Sequence, residues 1–389
     1  MPYWRLSAFY FFFFSSLGAM LPYWGLYLES LGFTPQRIGE LMALLMATKI
    51  VSPNVWGWIA DHTGRRMAIV RLGSLLAAVC FSGVLFGSDY WWLALVMVAF
   101  SFFWNATLPQ FEATTFSHLG EDTHRYSTVR LWGSIGFIVA VAALGPLFQR
   151  VGVGQLPWIL LGLMVSIWLV SLLVPERLAP HHAQEHQPLR EVLRRPEVMA
   201  LLTVCFLIQA SHGPYYTFYS IYLEDHDYSR SAIGQLWALG VIAEVGVFLV
   251  MHRLAPRTGL RTLFLASMGL TALRWALIGL YVDKLPVMIF AQTLHAASFG
   301  IYHAVAIQLV HKYFTGRHQG RGQALYSSLS FGAGGAVGSL YSGYVWGAAS
   351  PMAAYFAAAS IAAAAFLVAW RFIGAGAFGG KASLRTKKP

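Results

Sequence analysis

The sequence predicts an all-α membrane protein with twelve transmembrane helices in two pseudo-symmetric six-helix bundles. Three observations lead to this prediction: an apolar composition, twelve apolar stretches of spanning length, and an internal repeat. Of the 389 residues, 57% are hydrophobic and only 11% are charged. Soluble domains carry about a quarter charged residues. The chain therefore could not cover a surface facing water, but it could cover one facing lipid.

Polar and Gly/Pro-rich breaks divide the chain into stretches that can span a bilayer, for which about 20 mostly apolar residues are needed. The first stretch is too long for the core of a secretory signal and is taken as a span. The predicted spans are 6–28, 38–60, 68–87, 91–117, 129–149, 156–174, 198–223, 232–252, 260–281, 285–311, 322–346 and 351–372.

The longest polar interval between spans follows the sixth span, where a linker between two halves is expected. The predicted domains are an N-terminal six-helix bundle (1–174), a cytoplasmic linker (175–197), and a C-terminal six-helix bundle with a short basic tail (198–389).

An internal repeat supports this division. Residues 27–44 align without a gap on residues 222–239, and eight of the aligned positions carry the same residue. The same offset of 195 carries Gly64 onto Gly259 in a later loop. Repeated halves are typical of transporters that work by alternating access.

The basic residues predict the orientation of the chain. With both termini in the cytoplasm, 20 of the 27 Lys and Arg residues fall in cytoplasmic segments, four in outer segments and three inside spans. By the positive-inside rule, both termini are expected in the cytoplasm. The net charge of +11 follows from this bias and does not require a nucleic-acid partner.

The loop between the second and third spans carries a motif. Residues 57–66 read GWIADHTGRR. This resembles the signature loop of the major facilitator superfamily, with His62 where a base is usual, and it implies two bundles around a central cavity. Asp61 is expected to cap a helix end and pair with a base on a neighbouring helix, which locks the cytoplasmic side. The alternative is an ordinary basic loop. The expected gating residues are Asp61, Gly64, Arg65 and Arg66.

Several ionisable residues lie inside the predicted spans. Such a group costs about 2.5–3.5 kcal/mol at mid-membrane, so it faces the bundle interior and usually has a task. The alternative for each is a structural pair or a side chain that reaches the interface. The repeat places Lys49 opposite Glu244, and the roles of Lys49, His212 and His303 stay open. The in-span residues are Lys49, Glu112, Arg130, Glu244, Arg274, His212, His295 and His303.

Two segments resemble lactose-permease-like proton symporters. Residues 105–112 and 130–134 are similar to their fourth and fifth helices, which implies that Glu112 and Arg130 help to build the substrate site. Arg274 resembles the ninth-helix arginine of that branch.

Residues 292–295 are similar to the Lys-x-x-His segment on the tenth helix of those symporters. Two positions depart from that pattern. Gln292 replaces the lysine, and Ser298 stands where the lactose permeases have their proton-releasing glutamate. The proton site of that branch therefore does not carry over to position 298.

The chain also resembles the bacterial 3-phenylpropionate transporter family of the same superfamily. The resemblance implies a multi-pass protein of the bacterial inner membrane that acts as a monomer and imports a small aromatic carboxylate with protons. The matching stretches are 129–134, 215–222, 240–245, 274–275, 294–295 and His303.

We expect one arginine from each half to face the cavity, and one of the two to receive a substrate carboxylate. Aromatic residues are expected to line a cavity for a flat ring, although belts at the membrane interface are the alternative reading of such residues. The predicted substrate-binding residues are Arg130, Arg274, Glu112, Asn105, Tyr23, Trp24, Tyr215 and Tyr216.

Glu244 is the first candidate for the proton carrier, because it lies in mid-span and the usual acid is missing at Ser298. His295 and Glu112 are the next candidates. Protonation would neutralise the acid and free its arginine partner, which ties proton occupancy to the rocking of the halves.

Other functions stay open on the same residues. A proton symporter for a sugar or nucleoside and a proton-driven drug or metabolite exporter are the alternatives, and a non-transporting receptor fits less well. The sequence contains no catalytic triad context, no metal-ligand spacing and no phosphate loop. We therefore expect neither an enzyme nor a cofactor or metal. His295 and His303 would lie about 12 Å apart along a helix, too far to share one metal ion.

Overall fold

A computed structural model describes residues 1–177, 189–315 and 319–374. Much of the predicted linker 175–197 lies outside the described residues, and so does nearly all of the basic tail beyond the last helix. Within the described ranges, all regular structure is helical. This confirms the predicted all-α membrane fold.

Twelve long helical segments follow one another along the described chain, and we number them α1 to α12. They are α1 Tyr3–Ser30, α2 Pro35–Thr63, α3 Arg66–Phe81, α4 Tyr90–Leu119, α5 Tyr126–Val151, α6 Leu156–Leu173, α7 Pro196–Glu224, α8 Arg230–Thr258, α9 Leu260–Tyr281, α10 Leu285–Tyr313, α11 Gln319–Ala348 and α12 Pro351–Phe372.

Eleven of these segments are long and apolar enough to cross a membrane. The exception is α11, which consists of an α-helical start (Gln319–Ser327), a π-helical stretch (Ser328–Gly334) and an α-helical end (Gly335–Ala348). Its first part is polar, and the π-helical stretch divides its apolar length. Helix α10 contains a second π-helical stretch, Ala296–Ile301.

The predicted spans agree with the helices, but several helices run further. Helix α8 ends at Thr258, six residues beyond its predicted end, because it continues through Arg253 and Arg257 to Gly259. The length of an apolar stretch reflects the thickness of the hydrocarbon layer. A helix can extend beyond that layer into the interface, where charged side chains reach water. Helix α3 is shorter than its predicted span. Its α-helical part ends at Phe81, and a 3₁₀ turn follows directly.

The internal repeat extends to the backbone. Gly64 and Gly259, which the offset of 195 pairs, end α2 and α8 with φ of 68° and 80°. The same offset pairs Gly32 with Asp227, and these have φ of 85° and 61°. Positive φ suits glycine and is tolerated by the short side chain of aspartate. The two halves therefore turn at equivalent positions.

Each half has its own packing. In the first half, α1 packs on α5 and α6, α3 packs on α4 and α6, and α2 packs on α4. In the second half, α12 packs on α7 and α9, and α8 packs on α10. The halves meet where α2 lies along α11, α5 along α8, and α1 along α7. The domain boundaries themselves stay a prediction.

The halves approach each other most closely at one side of the membrane. We call the side on which α1 begins the terminal side, and the other the opposite side. A Cβ on Gly39 would lie 2.7 Å from the carbonyl oxygen of Ser339, and one on Gly145 would lie 2.5 Å from that of Arg230. Both glycines lie near the opposite side, where small residues let the backbones approach. We call these contacts the glycine seam.

Polar contacts reinforce the glycine seam. Glu40 of α2 accepts hydrogen bonds of 2.7 Å from Tyr90 of α4 and from Tyr344 of α11. Arg230 of α8 pairs with Glu224 at 2.6 Å and donates to the carbonyl oxygen of Phe148 on α5 at 3.2 Å.

The terminal side is held less firmly. In the described part of the chain, the hydrogen bond that joins the halves there is that from Asn54 to Ser328, at 3.4 Å. The contacts between the halves are therefore tightest at the opposite side.

The glycine seam leads to a first prediction. In Gly39→Ala the new methyl group must push α2 and α11 apart, because its nearest neighbours are backbone atoms of α11. A cysteine introduced at Ser231, in the seam, should then react faster with a membrane-impermeant maleimide in a variant that lacks Cys80 and Cys205. The control is Gly162→Ala on α6, where a Cβ meets nothing within 4 Å. Equal labelling rates in the two variants would contradict the seam as the closed side.

Candidate functional site

A polar cluster lies in the middle of the second half, around Arg274 of α9. This side chain is fully buried, with 0% exposure. One terminal nitrogen, Nη1, donates to His295 Nδ1 at 3.0 Å and to Ser298 Oγ at 2.9 Å. The other, Nη2, donates to Gln292 Oε1 at 3.1 Å. Three side chains of α10 thus hold the guanidinium group in a fixed position.

His295 joins Arg274 to Glu244 of α8. Because Arg274 donates to Nδ1, this nitrogen must carry a lone pair, and the proton of the neutral imidazole lies on Nε2. His295 Nε2 lies 3.4 Å from Glu244 Oε2. The side chain of Glu244 is 17% exposed, whereas that of His295 is 6% exposed. The buried positive charge is therefore connected through an imidazole to a carboxylate at the edge of the cluster.

The two π-helical stretches border the charged positions in the spans. The stretch in α10 begins directly after His295 and contains Ser298, and its Gly300 packs against Glu244. The stretch in α11 packs through Gly332 against α2. Such stretches are rare and occur often at functional sites.

Aromatic residues of α7 and α9 cover the polar cluster. The guanidinium carbon of Arg274 lies 4.2 Å from the ring centre of Tyr215 and 4.7 Å from that of Trp275. Tyr215 also donates to Gln292 Oε1 at 3.1 Å. Tyr216 stacks on His212, with ring centres 5.5 Å apart. Cation–π contacts of this kind stabilise a desolvated charge.

His212 and His303 lie beside the cluster. His212 is buried where α7 is interrupted, and its Nδ1 lies 2.8 Å from the carbonyl oxygen of Ile208. His303 Nδ1 lies 2.8 Å from the hydroxyl of Tyr326, which connects α10 to α11.

The first half contains a looser pair. Arg130 Nε lies 3.9 Å from Glu112 Oε1, and both side chains are about one third exposed, at 30% and 33%. Tyr126 donates to Glu112 at 3.2 Å, and the Arg130 guanidinium lies 3.8 Å from the ring centre of Phe14. Both charges of the Glu112–Arg130 pair are therefore only partly enclosed by protein.

Asn105 belongs to another contact, between α4 and α2. It donates to Thr48 Oγ1 at 2.9 Å, and the Thr48 hydroxyl lies 2.9 Å from that of Ser101. This network fixes α2 directly beside Lys49.

Two predicted aromatic residues lie away from the clusters. Trp24 is fully buried against Phe81 of α3. Tyr23 donates to the carbonyl oxygen of Val141 at 2.9 Å, next to Gly234 in the contact between α5 and α8. The structure thus places both towards the opposite side, and their role in substrate binding stays a prediction.

The predicted gating loop is confined to the first half. Asp61, near the end of α2, pairs with Arg66 at the start of α3 at 3.5 Å, and Gly64 ends α2 in the left-handed region. His62 Nδ1 lies 2.8 Å from the carbonyl oxygen of Trp58. The geometry fits a base on the neighbouring helix, while the locking of the halves by Asp61, Arg65 and Arg66 stays a prediction.

The structure brings Arg274, His295, Glu244 and Tyr215 together, and it pairs Glu112 with Arg130. Sequence reasoning did not select Gln292 or Ser298 as site residues. The sequence did contain a signal for these two residues. At both positions a neutral hydrogen-bonding residue replaces a charged residue of the symporter pattern.

Two pseudo-symmetric helical halves with ionisable side chains inside the spans are typical of a membrane transporter. Comparisons with known proteins agree. The model of the MFS_1 like family matches residues 3–357. The chain belongs to this family of the major facilitator superfamily and is a secondary transporter, not an enzyme.

Two relatives illustrate this membership. The chain is 30% identical to the "Probable 3-phenylpropionic acid transporter" of Escherichia coli (strain K12), over 87% of this chain and 89% of the relative. It is 25% identical to the "Maltose permease" of Geobacillus stearothermophilus, over 87% and 86%.

The fold resembles the crystal structure of a point mutant of the nucleoside transporter NupG, with a TM-score of 0.84 and 17% identity. The similarity covers 97% of this chain and 100% of the NupG chain. At this identity the match shows the fold alone.

The enclosed guanidinium group gives a second prediction. Arg274→Gln should lower the free energy of unfolding by about 3–5 kcal/mol, because it leaves Glu244 without its positive counterpart. Ser298→Ala removes one acceptor and should cost about 1–3 kcal/mol. Arg150→Gln, at an exposed position, is the control. Thermal unfolding in detergent should rank the three in this order, and an Arg274 variant as stable as the Arg150 variant would refute the anchoring role.

Proposed function

We propose that this transporter is a proton-coupled symporter that imports a small aromatic carboxylate. It would act as a monomer in a bacterial inner membrane, with both termini in the cytoplasm. The terminal side would then be the cytoplasmic one, and the glycine seam would lie at the periplasmic side.

The chain of contacts from Glu244 through His295 to Arg274 is the observation that carries this proposal. A buried charge is strongly destabilising unless it is compensated. Arg274 has its compensating charge on Glu244, one imidazole away. The side chain of Glu244 is also partly exposed, at 17%, which allows a proton to reach it.

Charge balance then couples the proton to the substrate. A proton on Glu244 removes the compensation of Arg274 and leaves the second half with one excess positive charge. A substrate carboxylate entering the cavity offsets that added charge, so each ligand favours the binding of the other. By linkage, the coupling acts in both directions. A cavity that holds both ligands has the same net charge as the empty one, whereas a cavity that holds one of them differs by one charge.

The substrate class rests on chemistry and on one relative. The relative with 30% identity is named for 3-phenylpropionic acid, a flat ring with one carboxylate. Partly exposed side chains supply aromatic surface, among them Phe14 and Tyr216, and the basic residues in the spans supply positive charge.

Transport by Glu244→Gln in proteoliposomes tests the coupling. The variant has no group that can release the proton, so uphill uptake driven by an imposed pH gradient should fall to the level of empty liposomes. Exchange of labelled for unlabelled 3-phenylpropionate needs no net proton movement and should persist. Glu121→Gln, in the exposed loop between α4 and α5, is the control for both assays. Uphill uptake by the Glu244 variant would overturn its role as proton carrier.

Binding at two pH values provides a separate measurement. In the wild-type protein, lowering the pH from 8 to 6 should tighten the binding of 3-phenylpropionate, because the protonated form of Glu244 is the one that accepts the anion. In Glu244→Gln the affinity should not change between these values. Calorimetry in buffers of different ionisation enthalpy should show about one proton taken up on binding by the wild type and none by the variant.

A sugar symporter is the second candidate, and the maltose permease relative favours it. Thermal stabilisation of the purified protein separates the candidates, since a true ligand stabilises by mass action. Stabilisation by sugars but by no aromatic acid would replace the carboxylate proposal. Accumulation of the solute in everted vesicles would indicate export instead of import.

A further inference from the structure

We propose that Lys49 of α2 is the residue that receives the substrate carboxylate and makes the transporter selective for monoanions. This inference deepens the proposed function and rests on it. The spans contain three cations, Lys49, Arg130 and Arg274, which differ in what each of them already contacts.

Two of the three cations are occupied. The terminal nitrogens of Arg274 donate to three side chains of α10, and the residue is fully buried. Arg130 is paired with Glu112 and stacked on the ring of Phe14. In the ranges 1–177, 189–315 and 319–374, Lys49 makes no hydrogen bond and no ion pair. Lys49 is thus the in-span cation that has neither an anionic partner nor a hydrogen-bond acceptor in these ranges.

The position of Lys49 on its helix directs it inwards. Met42 and Leu45, seven and four residues earlier, share its face of α2 and are buried. Val51 and Trp58 lie on the opposite face and are 54% and 63% exposed, as expected for residues facing lipid. Lys49 itself is half-buried. Its side chain therefore points towards the interior between the helices and not into the lipid.

The neighbours of Lys49 place it at the meeting point of the two halves. On one side, Thr48 is fixed to Asn105 of α4. On the other, a Cβ on Gly332 of α11 would lie 3.2 Å from the Ile50 nitrogen and 3.4 Å from the Lys49 carbonyl carbon. Gly332 lies in the π-helical stretch of α11. The repeat-related residue Glu244 packs in the same way against Gly300 in the π-helical stretch of α10.

Charge balance gives Lys49 its role. Glu112 offsets Arg130, and Glu244 offsets Arg274 through His295. The charge of Lys49 is left without a counterpart among these in-span groups. A single carboxylate is the ligand that neutralises one ammonium group, and a charge-assisted hydrogen bond is the strongest contact such a group offers. A neutral isostere would leave the charge uncompensated.

The experiment compares an acid with its amide. Binding of 3-phenylpropionate and of 3-phenylpropanamide is measured on purified full-length protein by ligand-induced thermal stabilisation and by calorimetry. The variants are Lys49→Met, Lys49→Arg and, as a matched control, Lys284→Met, which removes an exposed lysine before α10.

In the wild type and in Lys284→Met, the acid should bind more tightly than the amide. Lys49→Met should lose roughly 10- to 100-fold in affinity for the acid, the effect of one charge-assisted hydrogen bond, while its affinity for the amide stays unchanged. Lys49→Arg should retain most of the preference for the acid. A purely structural role of Lys49 would instead weaken both ligands together.

The outcomes separate the two proposals. If Lys49→Met keeps the wild-type preference for the acid, the role of Lys49 is overturned while the proposed function stands. If the wild type is stabilised by sugars or nucleosides and by neither aromatic compound, the proposed function falls and the assignment of Lys49 falls with it. Loss of the acid preference in Lys49→Met, with its rescue by arginine, supports both.

Discussion

The burial of one positive charge governs the organisation of the second half. Arg274 has no exposed surface, so its charge must be balanced by protein groups, and α10 supplies three acceptors for this purpose. Those acceptors are polar but uncharged, and the carboxylate in the chain of contacts, that of Glu244, lies one imidazole away. The result is a charge whose compensation depends on a group that can gain or lose a proton.

The two halves share one backbone architecture but carry side chains of opposite charge at equivalent positions. They turn at equivalent positions and place Lys49 and Glu244 at equivalent sites, each against a glycine of a π-helical stretch. Yet one half presents an amine and the other an acid. Pseudo-symmetry thus provides two equivalent backbone positions. The opposite charges of the side chains there give the two halves different electrostatic potentials.

Sequence reasoning could predict the fold because lipid imposes simple rules. Apolar length, basic loops and a gapless repeat gave twelve spans, and the structure extends several of them because helices continue beyond the hydrocarbon layer. The resemblance to lactose-permease-like symporters implied that Glu112 and Arg130 act together, and the structure pairs the two side chains. The acceptors Gln292 and Ser298 were not selected, because a neutral residue becomes part of a charge network only through its position in three dimensions. The π-helical stretches have no apolar periodicity of their own to reveal them.

Those stretches also affect how α10 can move. A π-helical turn holds one residue more than the α-helical turn that it replaces, so the strain can migrate along the helix while the helix ends stay in place. A shift of the stretch past His295 would rotate this residue by about 100° and advance it by about 1.5 Å, the increments of one residue in an α-helix. Such a shift would carry the imidazole away from both Arg274 and Glu244. Such a change of register would break the contact through His295 between Glu244 and Arg274 without any displacement of the bundle.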